Sequence, residues 1–128
     1  MALREATLTI LEMAAAAALV KQGSELIAID LSEQMVLSEV FLIVTGQNER
    51  QIEAIGDEVE MKLAQAGEKP VRREETPHWI LLDYDDLVVH IQTKEIRQYY
   101  MLERLWNDCP RVRLKAVAED DALREGRK

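Results

Sequence analysis

The sequence predicts a single α/β domain: a mixed β-sheet with flanking helices. Three observations carry that prediction. The runs Leu26–Leu31 and Val40–Gly46 are short, rich in branched residues and apolar on both faces, which is the pattern of buried strands. The runs Trp79–Tyr84 and Leu87–Thr93 are separated only by Asp85–Asp86, a two-residue hairpin spacing that imposes at least one antiparallel pair. Between them and Val40–Gly46 lies a long amphipathic helix, and a connection of that kind favours a right-handed crossover.

The elements follow in order. Leu3–Gln22 is Ala-rich with strong helix propensity; Ile10, Met13 and Leu19 help line its apolar side, and Gly23 stops it. Asn48–Ala66 is the clearest helix. Asn48 and Gln51 form a capping-box pair. Ile52, Ile55, Val59, Leu63 and Ala66 trace one apolar stripe, and Gly67 with Pro70 ends the helix. Gly56 inside it costs about 1 kcal/mol relative to Ala, which close packing against the sheet would explain. Pro70–Pro77 reads as charged and irregular, with one short strand near Val71. After the hairpin, Thr93 can cap a last helix running from Lys94 through Tyr99, Tyr100, Leu102 and Leu105 to Trp106, and Pro110 blocks its continuation. The domain is therefore expected over residues 1–108, with 109–128 as a polar C-terminal tail whose middle, Val112–Ala118, is apolar enough to dock or form a short helix.

Composition narrows the function. A chain of 128 residues with 48% hydrophobic and 31% charged residues buries a core without a disulfide or metal staple. The net charge is −8, and residues 1–106 carry −9, so the body is a poor direct binder of nucleic acid, which needs a cationic face. Cys109 is the one cysteine and reads as an inert thiol. The longest apolar run, Met13–Val20, is far short of the roughly twenty residues of a membrane span. Glu5 and Glu12 spoil a signal-peptide pattern, so a cytoplasmic protein is expected.

The strongest enzyme-like feature is Asp83-Tyr84-Asp85-Asp86. The D-x-D spacing of Asp83 and Asp85 suits a divalent cation in phosphoryl transfer, and it equally suits a turn, where Asp is favoured. No phosphate-binding loop accompanies it. His90 sits mid-strand among apolar neighbours and reads as a partly buried imidazole with a satisfied ring nitrogen, and His78 as a solvated loop residue. Glu49, Glu53, Asp57, Glu58 and Glu60 form an acidic helix face that is solvated or steers a basic partner. Trp79, Tyr84, Tyr99, Tyr100 and Trp106 are five of the six aromatic residues and cluster in the second half of the chain, which suits a core or a contact patch.

Four blocks in succession resemble the ribosomal silencing factors, also called Iojap-like proteins. They are VFLIVTG with Asn48-Glu49-Arg50-Gln51; Ala54-Ile55-Gly56-Asp57-Glu58-Val59; WILLDY-DD-LVVHI; and Arg97-Gln98-Tyr99-Tyr100-Met101-Leu102-Glu103-Arg104-Leu105-Trp106, and the resemblance they carry extends over about residues 3–108. The resemblance implies a nucleotidyltransferase-like fold without the established chemistry of those enzymes, with no cofactor or metal. It implies a translational repressor that docks on the large ribosomal subunit through ribosomal protein fourteen, blocks joining of the small subunit when nutrients are scarce, and often forms homodimers. By position, the family's partner contacts fall on Trp79, Tyr84 and Tyr100. Asp85 stands where the family has Gly, Glu39 where it has Asp, and Gly56 where it has Ala. Trp79 and Tyr84 are five apart, so strand alternation sends them to opposite faces unless a strand end or bulge intervenes. The alternative function is a metal-dependent nucleotidyltransferase or nucleotide-binding protein using Asp83, Asp85 and Asp86.

Overall fold

A computed structural model describes residues 3–34 and 38–125. Arg127 and Lys128, bases of the expected tail, lie outside the described residues. The elements run α1 (Glu5–Val20), β1 (Ser24–Asp30), β2 (Val40–Gly46), α2 (Glu49–Gln65), β3 (Arg72–Thr76), β4 (Trp79–Asp83), β5 (Leu87–Thr93), α3 (Lys94–Tyr100), α4 (Leu102–Leu105), β6 (Arg111–Val112) and α5 (Lys115–Glu125). The strands form one sheet in the order β3-β4-β5-β2-β1-β6. Only β2 and β5 pair in parallel, so the sheet is mixed as expected.

Helices α1, α2 and α5 cover one face. The core there joins Leu11, Ala14 and Ala18 of α1 and Ile52, Ile55, Val59 and Leu63 of α2 to Leu42, Val44, Leu82, Val89 and Ile91 of the sheet. The buried side of α1 runs through Leu11 and four alanines, while Ile10 and Met13 only flank it, because small side chains let the helix lie close to its neighbours. Its end is a two-bond cap: Gln22 takes a left-handed φ of 63°, its N–H bonds the Leu19 carbonyl, and the Gly23 N–H bonds that of Ala18. Gly23 is needed for space instead, since a Cβ there would meet Val44 Cγ1 at 2.7 Å.

The Asn48 side chain caps α2 by accepting from the Gln51 N–H at 2.9 Å. Gln51 Oε1 accepts from the Gln47 N–H, and its Nε2 donates to the Lys21 and Gln22 carbonyls, tying α2 to the end of α1. Ala66 is the C-cap and lies exposed, outside the buried stripe. A Cβ on Gly56 would sit 3.3 Å from Arg73 Nη2 and 3.5 Å from Ile80, so this glycine does pack against the sheet.

Three expectations change. Residues 72–76 are a regular edge strand in full register with β4, and their charges protect the edge from further pairing. The last helix breaks at Met101, which adopts φ 50°, and Thr93 makes no side-chain cap; its hydroxyl lies 3.3 Å from His78 Nδ1 instead. The tail docks through its middle, as its apolar residues allow, and joins the sheet and the helix layer instead of standing apart from them. Val112 and Arg111 pair with Ala28 and Ile29, Leu114 is buried, and the Glu12 carboxylate accepts from the Lys115 and Ala116 N–H groups, capping α5 from across the molecule.

Candidate functional site

The pleat of β4 sorts its side chains. Ile80 and Leu82 enter the helix-side core, while Trp79, Leu81 and Asp83 alternate onto the opposite face and stay half-buried. There Leu81 lies in register with His90 of β5, which in turn pairs with Ile43 of β2. Only part of this face is covered: Leu102 and Trp106 pack with Phe41 against Ile29, Leu31, Ile43 and Cys109 at the β1–β2 end.

A row of rings crosses it. Phe41 meets Trp106 edge-on at 6.3 Å and His90 at 4.8 Å; Trp79 lies 5.8 Å from His90 and 5.0 Å from Tyr100, and Tyr100 lies 5.1 Å from Tyr99. Five of the six Phe, Trp and Tyr residues thus form one continuous array. Its α3 end is open, with Tyr100 52% and Tyr99 80% exposed. The Trp79 indole N–H donates to His90 Nδ1 at 3.2 Å, as expected of a histidine with one satisfied ring nitrogen. Burial pushes the His90 imidazole down to about 4, so the ring is neutral at neutral pH.

Arg97 holds Tyr100 in place through its helix. Its buried guanidinium donates to the Thr45 hydroxyl at 2.7 Å and to the Glu25 carbonyl, which a bulge in β1 presents, and pairs with Glu103 at 3.0 Å. One cation thus joins α3 to β1, β2 and α4 across the break at Met101.

Trp79 and Tyr100 come together as the sequence suggested; Tyr84 does not join them. It is 7% exposed, packs in the helix-side core, and its hydroxyl has no partner there. Burial, with the Glu60 charge, pushes that hydroxyl up to about 12. No bulge separates Trp79 from Tyr84, so the pleat keeps them apart.

Acidic groups border the rings. Glu74 flanks Leu81 across the β3–β4 ladder, and Asp83 and Asp85 line a hollow floored by Phe41, Leu81 and Val88. Asp83 Oδ1 accepts from the Asp85 N–H at 2.9 Å and its Oδ2 faces Arg72 at 3.4 Å, while Asp86 pairs with Arg4, which also holds Glu39 at 2.7 Å. The hairpin carboxylates therefore serve the turn and separate ion pairs. Among the described residues no group of three or more His, Cys, Asp or Glu side chains could hold a metal. On the helix side, Asp57 and Glu60 of the acidic α2 face bind Arg73, with Glu75 closing the cluster at 2.7 Å. Phe41, Leu81, His90 and Arg97 escaped the sequence reading as site residues. Alternation from Trp79 points to Leu81, but Phe41 and His90 join the face only through strand register.

Fold and site together define a one-sheet α/β domain with an aromatic, acid-bordered and partly uncovered sheet face. The family model described as "Ribosomal silencing factor during starvation" matches residues 4–128, and the chain belongs to that family. The match runs through the β6–α5 segment, past the residue 108 limit expected from the motifs. The chain is 35% identical over 104 residues to Ribosomal silencing factor RsfS of Bacillus subtilis, covering 80% of this chain and 88% of the relative. It is 35% identical over 99 residues to that of Halalkalibacterium halodurans, covering 76% and 85%. A crystal structure of a Chromobacterium violaceum protein superposes with a TM-score of 0.75 at 34% identity, covering 77% of this chain and 84% of that one. No helix of the described residues is long and apolar enough to cross a membrane.

Proposed function

We propose that this protein represses translation by docking its aromatic face on the large ribosomal subunit, through ribosomal protein fourteen, and sterically blocking joining of the small subunit. The observation that supports this most is the continuous row from Phe41 to Tyr99 on a partly uncovered sheet face. Aromatic side chains on a rigid strand are favoured anchors of protein interfaces. The bordering carboxylates and the net charge of −8 suit a basic protein surface and disfavour bare RNA. Trp79 and Tyr100 are the contacts; Tyr84 supports the hairpin from beneath.

Such a blockade needs no bond-making chemistry, only occupancy of the joining surface. It acts in the cytoplasm under starvation or in stationary phase. Off the ribosome, exposed Tyr99, Tyr100 and Leu105 suit self-association as a homodimer. The test is sedimentation of purified large subunits with the protein, followed by addition of small subunits. Co-sedimentation and loss of the joined particle are expected. Joined particles forming at the normal level with the protein saturating would refute the proposal, and nucleotide-dependent labelling by the protein would favour the transferase alternative.

A further inference from the structure

We propose that His90 is a positioning residue for docking: its Nδ1 accepts the Trp79 indole N–H and fixes the plane in which that ring meets the partner. This rests on the docking role of the face given above. Trp79 is half-buried at the start of β4, and its indole nitrogen can only donate. A ring so placed would otherwise rotate to find water. It is held instead from two sides, by the His90 hydrogen bond at 3.2 Å and by Tyr100 at 5.0 Å. His90 is itself immobilised: 5% exposed, edge-on to Phe41 at 4.8 Å, and in register between Leu81 and Ile43.

The chemistry of that bond dictates the state of the imidazole. Nδ1 accepts only when unprotonated, so the neutral ring carries its hydrogen on Nε2. That nitrogen is buried without a partner. A strand packed on this face gains nothing structural from an unpaired N–H, which burial penalises; Leu or Phe would fill the same space. The arrangement is explained by what Nδ1 does for Trp79. A contact ring already fixed in its bound orientation loses less freedom on docking, which raises affinity without any new contact.

The experiment compares three full-length variants. His90→Phe keeps a ring against Phe41 and removes the acceptor; His90→Asn removes the ring and places Oδ1 where Nδ1 sits; Trp79→Ala removes the contact. Folding is followed by circular dichroism, the Trp79 indole N–H by its ¹⁵N–¹H resonance and solvent exchange, and docking by co-sedimentation with large subunits. His90→Phe is expected to shift the Trp79 indole signal, speed its exchange and weaken docking about tenfold, and His90→Asn to restore most of both. An unmoved indole signal or undiminished docking in a folded His90→Phe protein overturns the inference, as does a His90→Asn protein that folds yet docks no better than His90→Phe. If Trp79→Ala docks like the wild type, the docking face itself is wrong, a failure distinct from that of His90.

Discussion

Trp79 and Tyr84 lie on opposite sides of one sheet, because they stand five positions apart on the same arm of a hairpin. Trp79 faces Tyr100 and the uncovered side, and Tyr84 is sunk among the α2-side core residues. Their substitutions should therefore separate binding from stability. Trp79→Ala is expected to weaken large-subunit binding by about 2 kcal/mol, roughly thirtyfold, while the protein stays folded at a stability cost of about 1 kcal/mol from the His90 hydrogen bond it gives up. Tyr84→Ala is expected to cost about 3 kcal/mol of stability through the cavity it leaves. Tyr84→Phe, which removes a buried hydroxyl without a partner, is expected to be neutral or stabilising by about 1 kcal/mol. Binding isotherms and denaturant melts on the same preparations check all three. A Trp79→Ala protein that unfolds and a Tyr84→Ala protein that melts normally would reverse the assignment.

How far the sequence reveals this arrangement depends on how local each signal is. The span Val40–Gly46 and the Leu87–Thr93 strand are readable because branched apolar runs and a two-residue turn are local, and the α2 cap at Asn48 is readable from spacing alone. The β3 strand is readable only in part: a short strand is expected near Val71, but the charged run Arg72–Thr76 has the composition of a loop and gains its full length only through its ladder with β4. The break at Met101 has no Gly or Pro to announce it; it is spanned by Arg97, which grips Glu103 and the Glu25 carbonyl at once, contacts that no local pattern signals. Four of the six rings in the row, Trp79, Tyr99, Tyr100 and Trp106, are legible as aromatics clustered around the hairpin and last helix. Phe41 and His90 are not, since only the β2–β5 and β4–β5 registers bring residues 41, 79 and 90 together.

Asp85 occupies a position that favours glycine. Its φ is 76°, and the Asp86 N–H bonds the Tyr84 carbonyl around it at 3.0 Å, a tight three-residue turn. Asp85→Gly relieves strain on the order of 1 kcal/mol and loosens the unfolded chain by somewhat less, so a net gain of a few tenths to about 1 kcal/mol is expected. The Asp83 carboxylate can still accept from the residue 85 N–H. Docking should stay within about threefold of the wild type, since an exposed carboxylate contributes little. A calorimetric midpoint below that of the wild type would show that the Asp side chain stabilises the turn.

Gly23 is restricted by space. Gly23→Ala would drive a methyl to within 2.7 Å of the fully buried Val44 and 3.0 Å of the Ala18 carbonyl, the acceptor that closes α1. Overpacking of this kind costs about 1–3 kcal/mol. Denaturant unfolding should show a lower midpoint at unchanged slope, and restoring room with Val44→Ala in the same chain should recover part of the loss per added methyl. A Gly23→Ala protein as stable as the parent would mean that α1 and β2 can separate at no cost.

His90 makes stability depend on pH in a defined direction. Folded, its imidazole is held at about 4 by burial; unfolded, it titrates near 6.5. Between those values the unfolded chain binds more protons, so stability falls as pH drops from about 6.5 to 4 and levels off below. The full loss is on the order of 3 kcal/mol. Carboxylates titrate in the lower part of the same window, so the difference between wild type and His90→Asn isolates the histidine. That difference should shrink in favour of the variant as the solution is acidified, and parallel pH–stability curves for the two proteins would show that the imidazole is not buried in the neutral form.

On the proposed docking, the acidic border is expected to set the rate of encounter more than the strength of the complex. Long-range attraction between a chain of charge −8 and a basic ribosomal protein is screened over about 8 Å at 0.15 M salt, whereas rings packed against a partner are out of reach of ions. Added salt is therefore expected to lower the association rate constant and leave the dissociation rate nearly constant. Glu74→Gln with Asp83→Asn should flatten that salt slope while leaving dissociation unchanged; the Arg72 pairing lost with them is exposed and weak. Stopped-flow association with the isolated ribosomal protein measures both. Salt-independent association would assign the carboxylates to solubility alone. Binding strengthened by salt would mean that they repel the surface they meet and that apolar burial by Trp79, Tyr100 and their neighbours drives docking by itself.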